Sequence, residues 1–401
     1  MIHRRLKHLT PSAKNFGRIK RRYFILHRLT QFALLPQFRL SVSGDEHIPR
    51  KGPLLILSNH VGFWDPAILM LAINRPIQFL ATQSGFQRLI LGRVMVAFGI
   101  IPKKKFSSDL AAIRTLKSWC EHGAVVGLFP EGQRTWDGRT LSLVPGIARL
   151  VRILKVPLVT ARIINGDLQS PRWAVKKRST HVHIELDPPR TFPPKANVVE
   201  LEALIQKSIN VDPETCRRWP VSGNNLALGI TNVLFMCPAC FSLESLNEHG
   251  NELTCRHCND QWTVKSNNDL VSKKTGSIIS LLTLLDNIRE YLKQRNWIAD
   301  PERFKKDDVI LESEEMELVD LTDEIPSTVG QGRLLLTKHG LKLVGNTPWS
   351  VPFSDLVVVT VDFRRQLQIR TTKQLFEALM PKESVVKWDW FSNHWISTTN
   401  S

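Results

Sequence analysis

Apolar and polar positions fall in blocks along the first half of the chain. "PLLILSN" (53–59) is an unbroken apolar run of strand length, and "PAILMLAI" (66–73), opened by a proline, reads as a helix. A strand follows at "IQFLAT" (77–82). "DLAAIRTLKSWCEHG" (109–123) is a helix with a glycine stop. "AVVGLFPEG" (124–132) is a strand running into a turn, and "PGIARLVRILK" (145–155) is a helix. "VPLVTARIING" (156–166) and "HVHIELDPP" (181–189) are strands, and "NVVELEALIQKSIN" (197–210) closes the block as a helix. This alternation predicts an α/β unit: a mixed, largely parallel sheet flanked by helices.

The pattern differs on either side of that block. Residues 17–36, "GRIKRRYFILHRLTQFALLP", read as a basic amphipathic helix stopped by Pro36. Tyr23, Phe24, Leu26, Leu29, Phe32 and Leu35 can share one broad face, suited either to a membrane interface or to packing on the domain itself. Beyond the block lies a unit with clustered cysteines (232–268), followed by a helix over 274–296. From about 308 the chain reads as β, with a Lys-His-Gly turn inside "GRLLLTKHGLKLV" (332–344), the run "DLVVVTVDFRRQLQIRTT" (355–372) and a tryptophan-rich end. The domains expected are an arm at 1–43, an α/β domain at 44–212, a cysteine unit at 232–268, a linking helix at 274–297 and a β-rich module at 308–398. A length of 401 residues agrees with several cores.

Charge sharpens this picture. The net charge is +17, and residues 1–50 carry eleven Lys or Arg against Asp45 and Glu46 alone, whereas residues 301–330 carry ten acids. A basic arm suits a polyanion: anionic lipid, nucleic acid or an acidic carrier protein. The best apolar candidate for a membrane span, "LILGRVMVAFGII" (89–101), is too short and contains Arg93. The start, "MIHRRLKH", lacks the apolar core of a secretory signal. A peripheral position on the cytoplasmic face of a membrane is therefore expected.

Candidate chemistry begins where the apolar run at 54–58 breaks. His60 follows it, and Asp65 stands five positions on, directly before Pro66. An imidazole is the usual general base once a carboxylate fixes its tautomer. Asp65 can equally be a helix N-cap with proline at the first helical position, leaving His60 a surface residue. A second break, "GLFPEGQRT" (127–135), presents Glu131, Gly132 and Arg134. Gly132 admits close backbone approach to a ligand, and Arg134 offers a fork suited to phosphate. The plain alternative is a surface turn with an ion pair.

Taken together, "NHVGFWD" resembles the N-H-x-x-x-x-D block of the glycerolipid acyltransferases, the group that includes lysophosphatidic acid acyltransferase, and "FPEGQRT" resembles their F-P-E-G-x-R-S block. "GDEHIPRKGPLLILSNH" (44–60), "GIIPKKK" (99–105) and "VPLVTARI" (156–163) resemble lesser blocks, so the likeness spans roughly residues 20–210. It implies that His60 is the general base, that Asp65 orients it, and that an acceptor hydroxyl attacks an acyl thioester directly, with CoA or acyl-carrier protein leaving. It further implies that Glu131, Gly132 and Arg134 bind a glycerol-phosphate head, with Lys103 and Lys104 where the family carries basic phosphate contacts. The family more often has an arginine slightly later, and Gly62 and Thr135 stand where it commonly has serine.

Cys237-Pro-Ala-Cys240 and Cys255-Arg-His-Cys258 give the spacing C-x2-C-x14-C-x2-C, which predicts a closed, structural zinc site. Cys120 and Cys216 are expected to be inert. The β-rich tail resembles a pleckstrin-homology or GRAM-like module, with Trp388, Trp390 and Trp395 near its end. The expected function is transfer of a fatty acyl group to the free hydroxyl of a lysophospholipid, 1-acylglycerol-3-phosphate foremost. The alternative is a catalytically retired fold that binds lipid or protein through its ribbon and tail. The charge lies far from the ribbon, which speaks against nucleic acid, and the sequence leaves the oligomeric state open.

Overall fold

The computed structural model describes residues 11–34, 39–82, 89–103, 110–216, 219–294, 309–323, 326–362, 365–380 and 383–399. Two compact units emerge. The first comprises residues up to Arg172 together with Lys177–Gly223, and the second comprises Trp173–Lys176 and Asn224–Ser401.

The first unit runs α1 (Ala13–Leu34), β1 (Arg39–Ser43), β2 (Leu54–Ser58), α2 (Asp65–Ile73), β3 (Ile77–Thr82), α3 (Leu89–Phe98), β4 (Ile101–Lys103), α4 (Leu110–Glu121), β5 (Val125–Leu128), α5 (Ile147–Leu154), β6 (Leu158–Ile164), a short α6 (Gly166–Gln169), β7 (Ser179–Leu186), α7 (Val198–Ile209), α8 (Pro213–Cys216) and β8 (Val221–Ser222). The strands form one sheet in the order β1-β7-β6-β2-β5-β3-β4, with β8 on β7. β2 pairs in parallel with both β5 and β6, and β3 in parallel with β5 and β4. The β6–β7 and β7–β8 pairs are antiparallel. The sheet is thus mixed and largely parallel, as the alternation predicts.

The burial of β2 explains why its first four residues, Leu54 to Leu57, are apolar, with the buried Ser58 only at its end. All five of its residues are buried. Leu54 and Ile56 enter a core cluster with α2, while Leu55 and Leu57 enter a second cluster with α4, α5 and α7 on the opposite face. A strand covered on both faces has no position for a polar residue short of its ends. Each such Leu or Ile contributes about 1.5–3 kcal/mol through burial.

Two expectations need correction here. The stretch assigned to a separate arm contains β1, which pairs with β7 from Arg39 to Ser43, so part of it belongs to the sheet. The single apolar face expected for α1 is also split. Tyr23 is buried with Phe16 and Ile19, whereas Phe24, Ile25, Leu29 and Phe32 are exposed, Phe32 at 83%. The Tyr23 hydroxyl donates to the Met70 carbonyl at 2.8 Å, which fixes which face turns inward. Leu35 and Pro36 lie outside the described residues. Among the described residues, no helix is long and apolar enough to cross a membrane.

The second unit begins with a five-stranded antiparallel meander: β9 (Leu246–His249), β10 (Glu252–Cys255), β11 (Gln261–Val264), β12 (Asp269–Ser272) and β13 (Ile278–Ser280). α9 (Leu281–Gln294) follows. The helix expected from 274 therefore starts later. Ile278 and Ile279 pair with Val271 and Leu270, and the Ser280 hydroxyl accepts the Thr283 amide at 3.0 Å, so the strand ends where the helix begins.

A seven-stranded antiparallel sheet completes the unit: β14 (Val309–Asp320), β15 (Ser327–Thr337), β16 (Gly340–Gly345), β17 (Trp349–Pro352), β18 (Leu356–Val361), β19 (Gln366–Thr371) and β20 (Leu375–Leu379), ordered β17-β16-β15-β14-β20-β19-β18. The hairpin turn between β15 and β16 falls at Lys338-His339, as the Lys-His-Gly signal predicts. α10 (Val385–Thr399) closes the chain, with Trp388 fully buried; the Trp395 side chain lies outside the described set.

Candidate active site and four-cysteine centre

β2 and β5 run side by side in parallel, Leu57 opposite Leu128, so the turns leaving their carboxyl ends are neighbours. That end of a parallel sheet is where open α/β folds place ligands. Asn59 pins the first turn. Its amide nitrogen donates to the Ile163 carbonyl at 3.0 Å, and its oxygen accepts the Ile163 amide at 2.7 Å.

His60 comes next, and its Nδ1 lies 2.7 Å from Asp65 Oδ2. The same oxygen accepts the backbone amides of Val61 and Gly62 at 2.7 and 2.8 Å. An oxygen that accepts two amides is an acceptor for the ring as well, which places the proton on Nδ1 and leaves Nε2 with its lone pair. Asp65 is buried. It is the first residue of α2, not its N-cap, and no side chain caps that helix. The N-cap alternative is thereby set aside. The imidazole stacks on Phe129 at 4.0 Å between centroids, and Phe129 stacks on Phe79 at 5.4 Å. Burial lowers the pKa of His60, Asp65 opposes that shift, and the charges of Arg134 and Arg172 add to it. Burial thus favours the neutral form of the ring, the form able to accept a proton at Nε2.

Glu131 holds backbone amides with both of its oxygens. One carboxylate oxygen accepts the His60 amide at 2.6 Å and the other accepts the Leu141 amide at 2.7 Å. One oxygen thus ties the two turns together and the other closes Glu131's own loop, and the side chain is buried. Burial pushes its pKa up to about 8, against the two amide bonds that favour the charged form. A further tie comes from the Thr135 amide, which donates to the His60 carbonyl at 3.0 Å. Gly132 has a conformational reason to be glycine. Its φ is +73°, in the left-handed region, and an added Cβ would meet Val144 at 2.8 Å.

Arg134 is half-buried, close enough to His60 for its charge to be felt there. Its carbonyl accepts Nη1 of Arg172 at 2.6 Å. The structure therefore brings His60, Asp65, Glu131 and Arg134 together. Lys103 sits in β4 with its side chain outside the described set, and Lys104 lies outside the described residues. Asn59, Phe129 and Arg172 escape sequence reading. Each acts through partners distant in the chain, and only Asn59 and Phe129, inside the two quoted motifs, carry a local signal.

The four cysteines also converge. All four sulfurs lie within 4.8 Å of one another, with Cys237–Cys258 at 3.7 Å and Cys240–Cys255 at 3.8 Å. The two loops match. Phe241 donates its amide to the Cys237 carbonyl and Asn259 donates its amide to the Cys255 carbonyl, each at 3.0 Å, and Phe241 and Asn259 both have left-handed φ. The Ala239 amide points at Cys237 Sγ and the His257 amide at Cys255 Sγ. Such a set can hold a metal ion. Cys120 is buried and takes no part.

A histidine oriented by a buried carboxylate, beside an arginine at the mouth of a parallel sheet, has the arrangement with which a hydroxyl proton can be taken up. The comparisons with known proteins agree. Residues 39–164 match the model of the acyltransferase family. A chloroplastic 1-acyl-sn-glycerol-3-phosphate acyltransferase of Arabidopsis thaliana is 27% identical over 147 residues, covering 35% of this chain and 41% of its own. The 1-acyl-sn-glycerol-3-phosphate acyltransferase of Borreliella burgdorferi is 31% identical over 108 residues, covering 26% and 43%. The chain spans less than half the length of these relatives. A crystal structure of the 1-acyl-sn-glycerophosphate acyltransferase of Thermotoga maritima aligns with 47% of this chain and 78% of its own, at 19% identity and a TM-score of 0.40.

Proposed function

We propose that this protein transfers a fatty acyl group from an acyl thioester, of CoA or of acyl-carrier protein, to the free hydroxyl of 1-acylglycerol-3-phosphate. His60 Nε2 takes the hydroxyl proton as the oxygen bonds to the thioester carbonyl carbon. The C–S bond then breaks, and the departing thiolate takes that proton back from the imidazole. Asp65 holds the ring in the tautomer this needs and stabilises its charged form. Thioesters are activated, so an oriented hydroxyl and a base supply most of what is required. Arg134 binds the acceptor's phosphate, with Lys103 and Lys104 as further phosphate contacts. Glu131 and Gly132 shape the loop that carries Arg134.

The observation that carries this reading is the 2.7 Å contact between His60 Nδ1 and the buried Asp65, on a turn tied to the Arg134 loop. The exposed Phe24, Ile25, Leu29 and Phe32 of α1, interspersed with basic residues, suit a peripheral site on a membrane surface where such an acceptor resides. The four cysteines hold zinc. A tetrahedral ion with Zn–S bonds of about 2.3 Å requires sulfurs roughly 3.8 Å apart, which is the spacing of the two closest pairs. With four protein ligands, that site staples its two loops and leaves no position for substrate.

The test is transfer of labelled acyl groups from acyl-CoA, and separately from acyl-carrier protein, to a panel of lysophospholipids. Transfer to 1-acylglycerol-3-phosphate above the other acceptors is expected. No transfer to any acceptor from either donor, with the zinc content verified, would favour a retired fold acting as a scaffold.

A further inference from the structure

Arg172 lies beyond residue 164, where the family match ends. It is 4% exposed. Burying a guanidinium is costly, so its surroundings must compensate. Nη1 donates to the Arg134 carbonyl at 2.6 Å, and the guanidinium lies over the Trp136 ring with its carbon 4.1 Å from the centroid. The hydrogen bond fixes one end of the fork and the ring fixes its plane. Arg172 is thus held against the backbone of Arg134, and the charges of both arginines are felt at His60. That arrangement makes a poor site for a neutral or singly charged group. It suits a phosphate monoester, which carries nearly two negative charges near neutral pH.

We propose that Arg172 is a positioning and specificity residue: it holds the backbone of Arg134 in place and makes the site beside His60 a two-cation environment that selects monoester headgroups over phosphodiesters. The inference rests on the acyltransferase reading given above. Four residues act on His60. Asp65 contacts its ring and Glu131 its amide, and both are acidic; Arg134 and Arg172 lower its pKa. Removing the charge of Arg172 therefore moves the His60 titration to higher pH, and a lysine at 172, which keeps the charge, separates this from loosened packing around the ring.

The experiment compares wild type with Arg172→Gln and Arg172→Lys. Three readouts are taken: KM for 1-acylglycerol-3-phosphate and for a lysophosphatidylcholine, calorimetric binding of the same two lipids, and titration of the His60 ring protons by NMR. For Arg172→Gln the expected result is a rise in monoester KM on the order of tenfold, little change for the diester, and a His60 titration displaced upward. For Arg172→Lys, which keeps the charge and loses the fork, the His60 titration stays in place and the monoester KM rises severalfold. An unchanged monoester-to-diester ratio in both variants, or an unmoved His60 titration in Arg172→Gln, overturns the proposal. If Arg172→Gln does not fold, the Lys variant decides: kinetics and binding equal to wild type overturn the proposal. Absence of transfer by wild type would sink the acyltransferase reading alone, because calorimetry and the His60 titration still judge Arg172.

Discussion

In the first unit, His60, Glu131 and Arg134 stand on two turns joined by single hydrogen bonds, the His60 amide to Glu131 and the Thr135 amide to the His60 carbonyl, while the Leu141 amide holds Glu131 within its own loop. In the second, four sulfurs converge within 4.8 Å of one another, each pair on a tight loop of its own. The first arrangement leaves Nε2 of His60 uncommitted and gives a substrate somewhere to go. The second fills its own centre. A reactive site must keep an open position and is held from behind by backbone ties, whereas a staple uses every ligand it has.

The sharpest way to break this contrast is to remove the zinc proposed for the cysteine centre. Chelation, or Cys255→Ser, should unfold the meander β9–β13, because binding energy at a structural zinc site is folding energy on the order of 10 kcal/mol. The measurement is thermal unfolding of the full chain with and without chelator. One transition is expected to be lost or strongly lowered while the other stays. If neither moves, the cysteine centre is not a staple.

Asp65→Asn comes next in size. Its amide group cannot replace an acceptor that takes the ring and two backbone amides on one oxygen. Transfer should fall about 10²–10⁴-fold in kcat, with KM changed far less. Glu131→Gln follows, with a loss of up to about a hundredfold and about 1–3 kcal/mol of stability. One of the two amides it now accepts would face an NH2 group. Urea titration checks the second figure, and a variant as stable and active as wild type would mean that the tie between the turns is dispensable.

The smallest effects are those of pH. Because the pKa of His60 is lowered, the acid limb of kcat/KM should lie below the range of an ordinary histidine, and activity should fade only as pH drops through that lowered value. Glu131 runs in the opposite sense. Its value rises on folding from 4.5 to about 8, so the folded state holds a proton that the unfolded state gives up. Its contribution to stability is full below 4.5 and is lost progressively as pH climbs towards 8. The stability gap between wild type and Glu131→Gln should be widest at low pH and narrow across that window as pH climbs towards 8.

How much of this could be read from the sequence depends on how local each contact is. His60 and Asp65 lie within one turn, and the cysteine pairs within two tight loops, so spacing alone exposes them. The parallel sheet shows in its apolar runs, since β2 and β5 are covered on both faces. Glu131 was legible as a site residue, but its task was not, because the His60 amide reaches it only through the pairing of β2 with β5, across 71 residues. The inner face of α1 was misread for the same reason. The Tyr23 hydroxyl answers to Met70 on α2, and nothing in the helix itself separates Tyr23 from Phe24. Arg172 had no signal at all, being one arginine among many until its carbonyl partner is known. β13 was hidden by its polar flanks and three-residue length.

The most direct test of the central claim is acyl transfer to 1-acylglycerol-3-phosphate by wild type and His60→Ala, side by side, with both proteins checked for the same fold by circular dichroism. Transfer by wild type and a loss of about 10²–10⁴-fold in the variant is the predicted result. Equal transfer by the two proteins would contradict the assignment of His60 as the base.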